Sequence, residues 1–147
     1  MQKTEQLLKV LKGQPVIPVL LIDNAKDAVP LARALAAGGL PAIEITLRTK
    51  DALDAIKRVA GEVENCIVGA GTILDTKQYE KAEKAGSKFI VSPGITRELL
   101  AAADVDVADV VRNAKLLQHY GDFPAIGRRP VVEFNGIGHG GLLFGQA

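Results

Sequence analysis

Four strand-like runs recur along the chain at nearly constant spacing: "VIPVLLI" from Val16, "AIEIT" from Ala42, "IVGAGT" from Ile67 and "FIVSPG" from Phe89. Their starts lie 26, 25 and 22 residues apart, which leaves room for one helix between successive strands. The intervening segments read as helices. Residues 25–38 gather Val29, Ala32, Leu35 and Ala36 on one face, and residues 50–60 bring Leu53, Ile56 and Val59 together. Asp75 and Gln78 in "DTKQ" form a capping-box variant. Gly39, Gly61 and Gly86 fall at expected helix ends, where a left-handed residue is wanted. Pro30 fits badly, because it lies inside the first helix unless that helix starts later. Alternation at this period dictates βαβ units and a parallel sheet.

Two architectures satisfy that pattern, an open doubly wound sheet and a (β/α)8 barrel. Doubly wound strands are covered by helices on both faces and read apolar throughout. Barrel strands can carry polar groups on the inner face near the mouth, where active sites sit. In "AIEITLRT", residues 42–49, one strand face carries Ile43, Ile45 and Leu47 and the other Glu44, Thr46 and Arg48. This alternation favours the barrel. A whole barrel takes at least about 200 residues, and the chain has 147. The expectation is therefore an N-terminal half-barrel over residues 1–103, followed by a divergent segment over 104–147. In that segment "DVDVADVV" reads as a strand or a helix start, "DVVRNAKLLQHYG" as a helix, "RRPVVEFNG" as one further strand, and "GIGHGGLLFGQA" as Gly-rich and weakly specified.

Composition narrows function by exclusion. A net charge of +1 and 4% aromatic residues without Trp speak against nucleic acid as a partner. The longest near-apolar run, "PVIPVLLI" at residues 15–22, is too short to cross a bilayer, and no basic cluster flanks it. The opening Met1-Gln2-Lys3-Thr4-Glu5 lacks an apolar signal core and reads as cytoplasmic. Cys66 is the single cysteine, so neither an intrachain disulfide nor a cysteine-based zinc site is available, and it reads as a buried, inert thiol.

The chemistry concentrates at the expected strand ends. Inward residues of one strand are about 6.6 Å apart, so Glu44 and Arg48 are separated by about 13 Å along it. That spacing gives them separate tasks: Glu44 moves protons at a reacting carbon, and Arg48 binds an anionic group at the mouth. The alternative is an interior polar network with each charge paired to another strand. Burial is expected to raise the Glu44 pKa while Arg48 opposes the rise. "VGAGT" and "VSPG" place small residues at two further strand ends, where Gly69 and Gly71 admit a close ligand, Thr72 offers a hydroxyl and Pro93 fixes the loop.

Taken together, "PVIPVL", "ALAAGGLPAIEITLRT", "IVGAGT" and "FIVSPG" resemble the 2-keto-3-deoxy-6-phosphogluconate (KDPG/KHG) aldolases over about residues 1–103. The resemblance implies a trimeric (β/α)8 barrel. It implies a class I aldolase that cleaves 2-keto-3-deoxy-6-phosphogluconate to pyruvate and glyceraldehyde 3-phosphate through a lysine Schiff base, without metal or cofactor. Glu44 then matches the catalytic acid/base, Arg48 and Thr72 match pyruvate-end contacts, and Pro93 lies in the matching active-site loop. The family's lysine sits in a motif like K-[FL]-F-P-A-E. Aligned on Phe123-Pro124-Ala125, that motif puts Gly121 at the lysine position and Ile126 at the glutamate. Lys115, the nearest lysine, reads as a helix-surface residue, and His119 as a cation at a helix C-terminus. "GIGHGG", residues 136–141, reads as a flexible tail or as an anion-binding nest. The Schiff-base lysine is thus unassigned, and a non-enzymatic, self-associating half-barrel is the alternative to a weakly active aldolase.

Overall fold

The structure is a computed structural model that describes residues 16–94, 96–104 and 142–145. Strand β1 (Val19–Leu20) leads to helix α1 (Ala25–Ala37), then β2 (Ala42–Thr46), α2 (Ala52–Glu62), β3 (Ile67–Gly71), α3 (Thr76–Lys84), β4 (Phe89–Ser92) and α4 (Arg97–Ala102). A last strand, β5, spans Leu142–Gly145. The five strands lie in the order β1-β2-β3-β4-β5. The first four are parallel neighbours, and β5 joins β4 antiparallel, with Phe89 opposite Gly145 and Ser92 opposite Leu142.

The helices share one face of this sheet. Ile43, Ile45, Val68, Ala70 and Ile90 pack in a single core with Val29 and Ala32 of α1, Ile56 and Val59 of α2, Tyr79 of α3 and Leu99 of α4. Ala42, Glu44 and Phe89 are buried yet stand outside that core, because side chains alternate along a strand and these belong to the opposite face. A doubly wound sheet would carry helices on both faces. One helical face and one polar, glycine-rich face is the half-barrel arrangement expected from "AIEITLRT".

Local chemistry sets most element ends. Asn24 caps α1 by accepting from the Lys26 N–H, Asp75 caps α3 by accepting from the Gln78 N–H, and Thr96 caps α4 by accepting from the Leu99 N–H. Gln78 reaches back as expected but lands on the Leu74 N–H at 2.8 Å, one residue before the cap. Gly39 and Gly86 take φ of +88° and +95° just beyond α1 and α3, the left-handed exit that glycine tolerates. Gly61 departs from expectation: it lies inside the last turn of α2, which runs on to Glu62. Helix α1 also keeps Pro30 in its interior. The ring cannot donate to the Lys26 carbonyl, and the helix is held instead by its buried alanine and valine face and its cap.

Three further expectations are corrected. "VIPVLLI" supplies only two strand residues, Val19 and Leu20, which follow Pro18, a residue with no N–H for a ladder. Arg48 is not a strand residue, because β2 ends at Thr46 and the chain turns from Leu47 onward. Within the Gly-rich end, Leu142–Gly145 form β5, which pairs antiparallel with β4. The readings at Lys115, His119, Gly121, Phe123–Ala125, Ile126 and residues 136–141 lie outside the described residues. No described helix is long and apolar enough to cross a membrane.

Candidate active site

The polar face of the sheet is built by three strands in register. Glu44 on β2 pairs with Gly69 on β3, and Thr46 pairs with Gly71. The two glycines leave β3 without side chains on this face, and its neighbours lean into the space. A Cβ at Gly69 would overlap the ring of Phe89 from β4, and a Cβ at Gly71 would overlap the Glu44 carboxyl. Glu44 is therefore registered opposite Gly69 while its carboxyl lies over Gly71, two residues nearer the carboxyl end of the sheet. This corrects the expectation that Gly69 and Gly71 admit a ligand. Their space is already taken, by an aromatic ring and by an acid.

That placement leaves Glu44 only 8% exposed. Burial pushes its pKa above the ordinary glutamate value, and the Arg48 charge pulls the other way more weakly. Both directions agree with the sequence reading. Arg48 lies in the turn after β2 rather than on a continued straight strand.

Arg48 itself is exposed, and its Nε donates to the Thr72 hydroxyl at 3.2 Å. Thr72 takes φ of +62°. A β-branched residue seldom adopts that conformation, and held strain of this kind clusters at functional sites. The preceding residue is tied in as well, since the Leu47 N–H donates to the Gly71 carbonyl at 2.8 Å. Glu44, Arg48 and Thr72 are thus brought to one place at the carboxyl ends of β2 and β3. Pro93 is exposed in the turn after β4, where the buried Ser92 hydroxyl donates to the Gly94 carbonyl and accepts from the Gly94 N–H.

The hydroxyls of "AIEITLRT" have a different employment. Thr46 donates to the Leu20 carbonyl at 3.1 Å and Thr49 to the Ile22 carbonyl at 2.5 Å. Asp51, the cap residue of α2, makes no side-chain bond to its own helix and instead accepts from the Ala25 N–H that opens α1, at 3.2 Å. These three side chains staple the β1–α1 connection to the site. The sequence reading placed Thr46 on the polar strand face but gave no role to Thr46, Thr49, Asp51 or Ser92. The one available signal was an acid and two hydroxyls spaced along "TLRTKD".

Every lysine among the described residues is exposed, so none lies buried beside Glu44. Cys66 is half-buried rather than fully buried, and burial pushes its thiol up to about 11.

A one-faced (β/α) half-barrel with a buried acid and an exposed arginine at adjoining strand ends has the arrangement of a barrel enzyme's mouth. The chain belongs to the KDPG and KHG aldolase family, whose model matches residues 7–113. It is 53% identical over 95 residues to the 2-dehydro-3-deoxy-phosphogluconate aldolase of Pseudoalteromonas atlantica, a match that covers 65% of this chain and 44% of that protein. The 2-keto-3-deoxy-6-phosphogluconate aldolase of Zymomonas mobilis ZM4, solved with 3-phosphoglycerate, superposes with a TM-score of 0.63 at 43% identity, covering 74% of this chain and 56% of that one. The KDPG aldolase of Legionella pneumophila, solved with pyruvate captured at low pH as a covalent carbinolamine intermediate, gives a TM-score of 0.65 at 34% identity, covering 79% and 59%. The chain spans about half the length of the curated relatives it matches.

Proposed function

We propose that this chain carries the keto-acid half of a class I aldolase site and cleaves 2-keto-3-deoxy-6-phosphogluconate to pyruvate and glyceraldehyde 3-phosphate, weakly. The observation that carries this reading is the Glu44 carboxyl, desolvated over Gly71 beside the Arg48–Thr72 pair. The products fix the bond that breaks. Pyruvate has three carbons, so the C3–C4 bond must be cut. Glu44 takes the proton of the C4 hydroxyl as an aldehyde forms there. The bonding pair flows toward C2, which must bear an imine to accept it, and leaves an enamine. Glu44 then returns its proton to C3 to make the methyl group, and water releases pyruvate. A raised pKa suits a group that must both take and give a proton. The Arg48 guanidinium and the Thr72 hydroxyl hold the carboxylate at the other end of the keto acid, and Pro93 borders the same mouth.

The amine for the imine is not assigned. The motif order puts Gly121 at its position, which is the reason for expecting weak turnover. The site-bearing unit is residues 1–103, with 104–147 as a divergent segment after it. No metal enters this chemistry. The family resemblance and the composition support a cytoplasmic, trimeric protein acting in Entner–Doudoroff sugar-acid degradation, with neither nucleic acid nor membrane as a partner. Self-association also suits β1, an edge of the sheet among the described residues, where Val19 and the following Leu21 are 60% and 58% exposed.

Borohydride reduction in the presence of pyruvate tests the enzymatic reading. A covalent adduct mapped by mass to one lysine is the expected result and names the nucleophile. No adduct, together with no cleavage in a coupled assay, contradicts it.

A further inference from the structure

We propose that Gly71 is a positioning residue for Glu44, its bare α-carbon being the seat that fixes where the carboxyl stands and keeps water from it. This deepens the reading of Glu44 as the proton-transfer group and rests on it. Glycine in a strand has two common causes, a backbone that other residues cannot adopt or a neighbour that comes too close. The first does not apply, because the positive-φ glycines are Gly39 and Gly86. The second does, and the neighbour is specific. A Cβ at Gly71 would meet Oε1, Cδ and Cγ of Glu44 and no other residue among its nearest atoms.

The alternative place for the carboxyl is closed. Gly69 is the true register partner of Glu44, but the space over it holds the Phe89 ring. Phe89 from one side and the missing Cβ of Gly71 from the other thus steer the glutamate toward the carboxyl end of β3. Gly71 also accepts the Leu47 N–H at the start of the turn that carries Arg48, and it precedes Thr72, the partner of Arg48. One residue therefore sets the acid relative to the anion receptor. Among the described residues Arg48 is the charged group that acts on Glu44. The register partner of Glu44 on β1 is Val19, and the ring over its β3 register partner Gly69 is that of Phe89; neither carries a charge.

The test has two parts, neither of which needs turnover. The first is the carboxyl carbon-13 titration of Glu44 in the wild-type chain and in Gly71→Ala. Displaced from its seat, the carboxyl gains water, so its midpoint is expected to fall toward the ordinary glutamate value. The second is a double-mutant cycle on the denaturation midpoint. Gly71→Ala is expected to lose stability in the wild-type background and to lose little when Glu44→Ala has removed the obstructing atoms. If Gly71→Ala does not fold alone, folding of the Glu44→Ala/Gly71→Ala pair has the same meaning. An unchanged Glu44 midpoint, equal losses in both backgrounds, or failure of the pair to fold where Glu44→Ala folds overturns the proposal. A shifted midpoint with neither a borohydride adduct nor cleavage would keep the seat and reject the catalytic reading.

Discussion

Removing the Asp51 carboxyl should loosen the start of α1 from a distance of 26 residues in sequence. The first N–H groups of a helix have no partner within it. In α1 one of them, at Ala25, is satisfied by Asp51 from the next βα unit. A cap of this kind is worth about 0.5–2 kcal/mol. The Asp51 side chain does not cap its own helix, so Asp51→Ala removes no cap from α2 and the loss falls on α1 alone. The two threonine bonds to Leu20 and Ile22 remain in Asp51→Ala, each worth about 0.5–1.5 kcal/mol. The loop therefore stays attached, and the expected global loss is near the middle of the cap range, about 1 kcal/mol. Removing all three groups should cost less than the sum, because they hold one loop. Urea denaturation followed by far-UV circular dichroism gives the global loss. Amide exchange gives the local one: Ala25 N–H should exchange faster in Asp51→Ala while Ile45 and Val68 in the sheet keep their protection apart from the global change. Unchanged exchange at Ala25 would refute the staple, whatever the global stability.

Other perturbations bear on the site and its support. Glu44→Gln should slow deuterium exchange at the pyruvate methyl by at least about 10²-fold if the wild-type chain catalyses it, and wild-type exchange in the variant would remove Glu44 from proton transfer. The same variant should flatten the pH dependence of stability. A carboxyl with a raised folded pKa stabilises most fully below its unfolded value and loses that contribution as pH rises through the folded one. Urea midpoints taken across the mildly acidic range should therefore fall less with rising pH in Glu44→Gln, and equal slopes would show that the burial of Glu44 is not felt. Phe89→Ala should cost about 3–5 kcal/mol, because a fully buried ring leaves a void over Gly69; a denaturation loss under about 1 kcal/mol would mean that the slot refills. Cys66 should resist thiol reagents at neutral pH and react faster toward pH 11, following its raised pKa, a trend that a thiol assay on the folded chain reads directly.

The strand–helix period was legible because burial forces it: each apolar strand must be covered, and the covering helix needs two turns or more. The two faces of β2 were legible for the same reason, since Ile43 and Ile45 enter the core while Glu44 and Thr46 do not. What could not be read is what depends on partners in other strands. Gly69 and Gly71 look like turn or ligand glycines until the register of β2, β3 and β4 shows which atoms occupy their space. Arg48 continues the alternation of β2 in sequence, yet hydrogen bonding ends that strand at Thr46. Thr46, Thr49 and Asp51 act on Leu20, Ile22 and Ala25, contacts that exist only after two βα units have docked. Thr72 was picked as a hydroxyl, but its left-handed backbone carries no mark in "GAGT".

The proposed binding of pyruvate at the β2 and β3 strand ends is tested most directly by titrating pyruvate into nitrogen-15-labelled chain and following backbone amides, with calorimetry alongside. Saturable shifts should centre on Arg48 and Thr72, and Arg48→Lys, which keeps the charge but loses the planar fork, should weaken binding by roughly 1–3 kcal/mol. Shifts that centre elsewhere, or an Arg48→Lys affinity equal to that of the wild type, would contradict the assignment of this site.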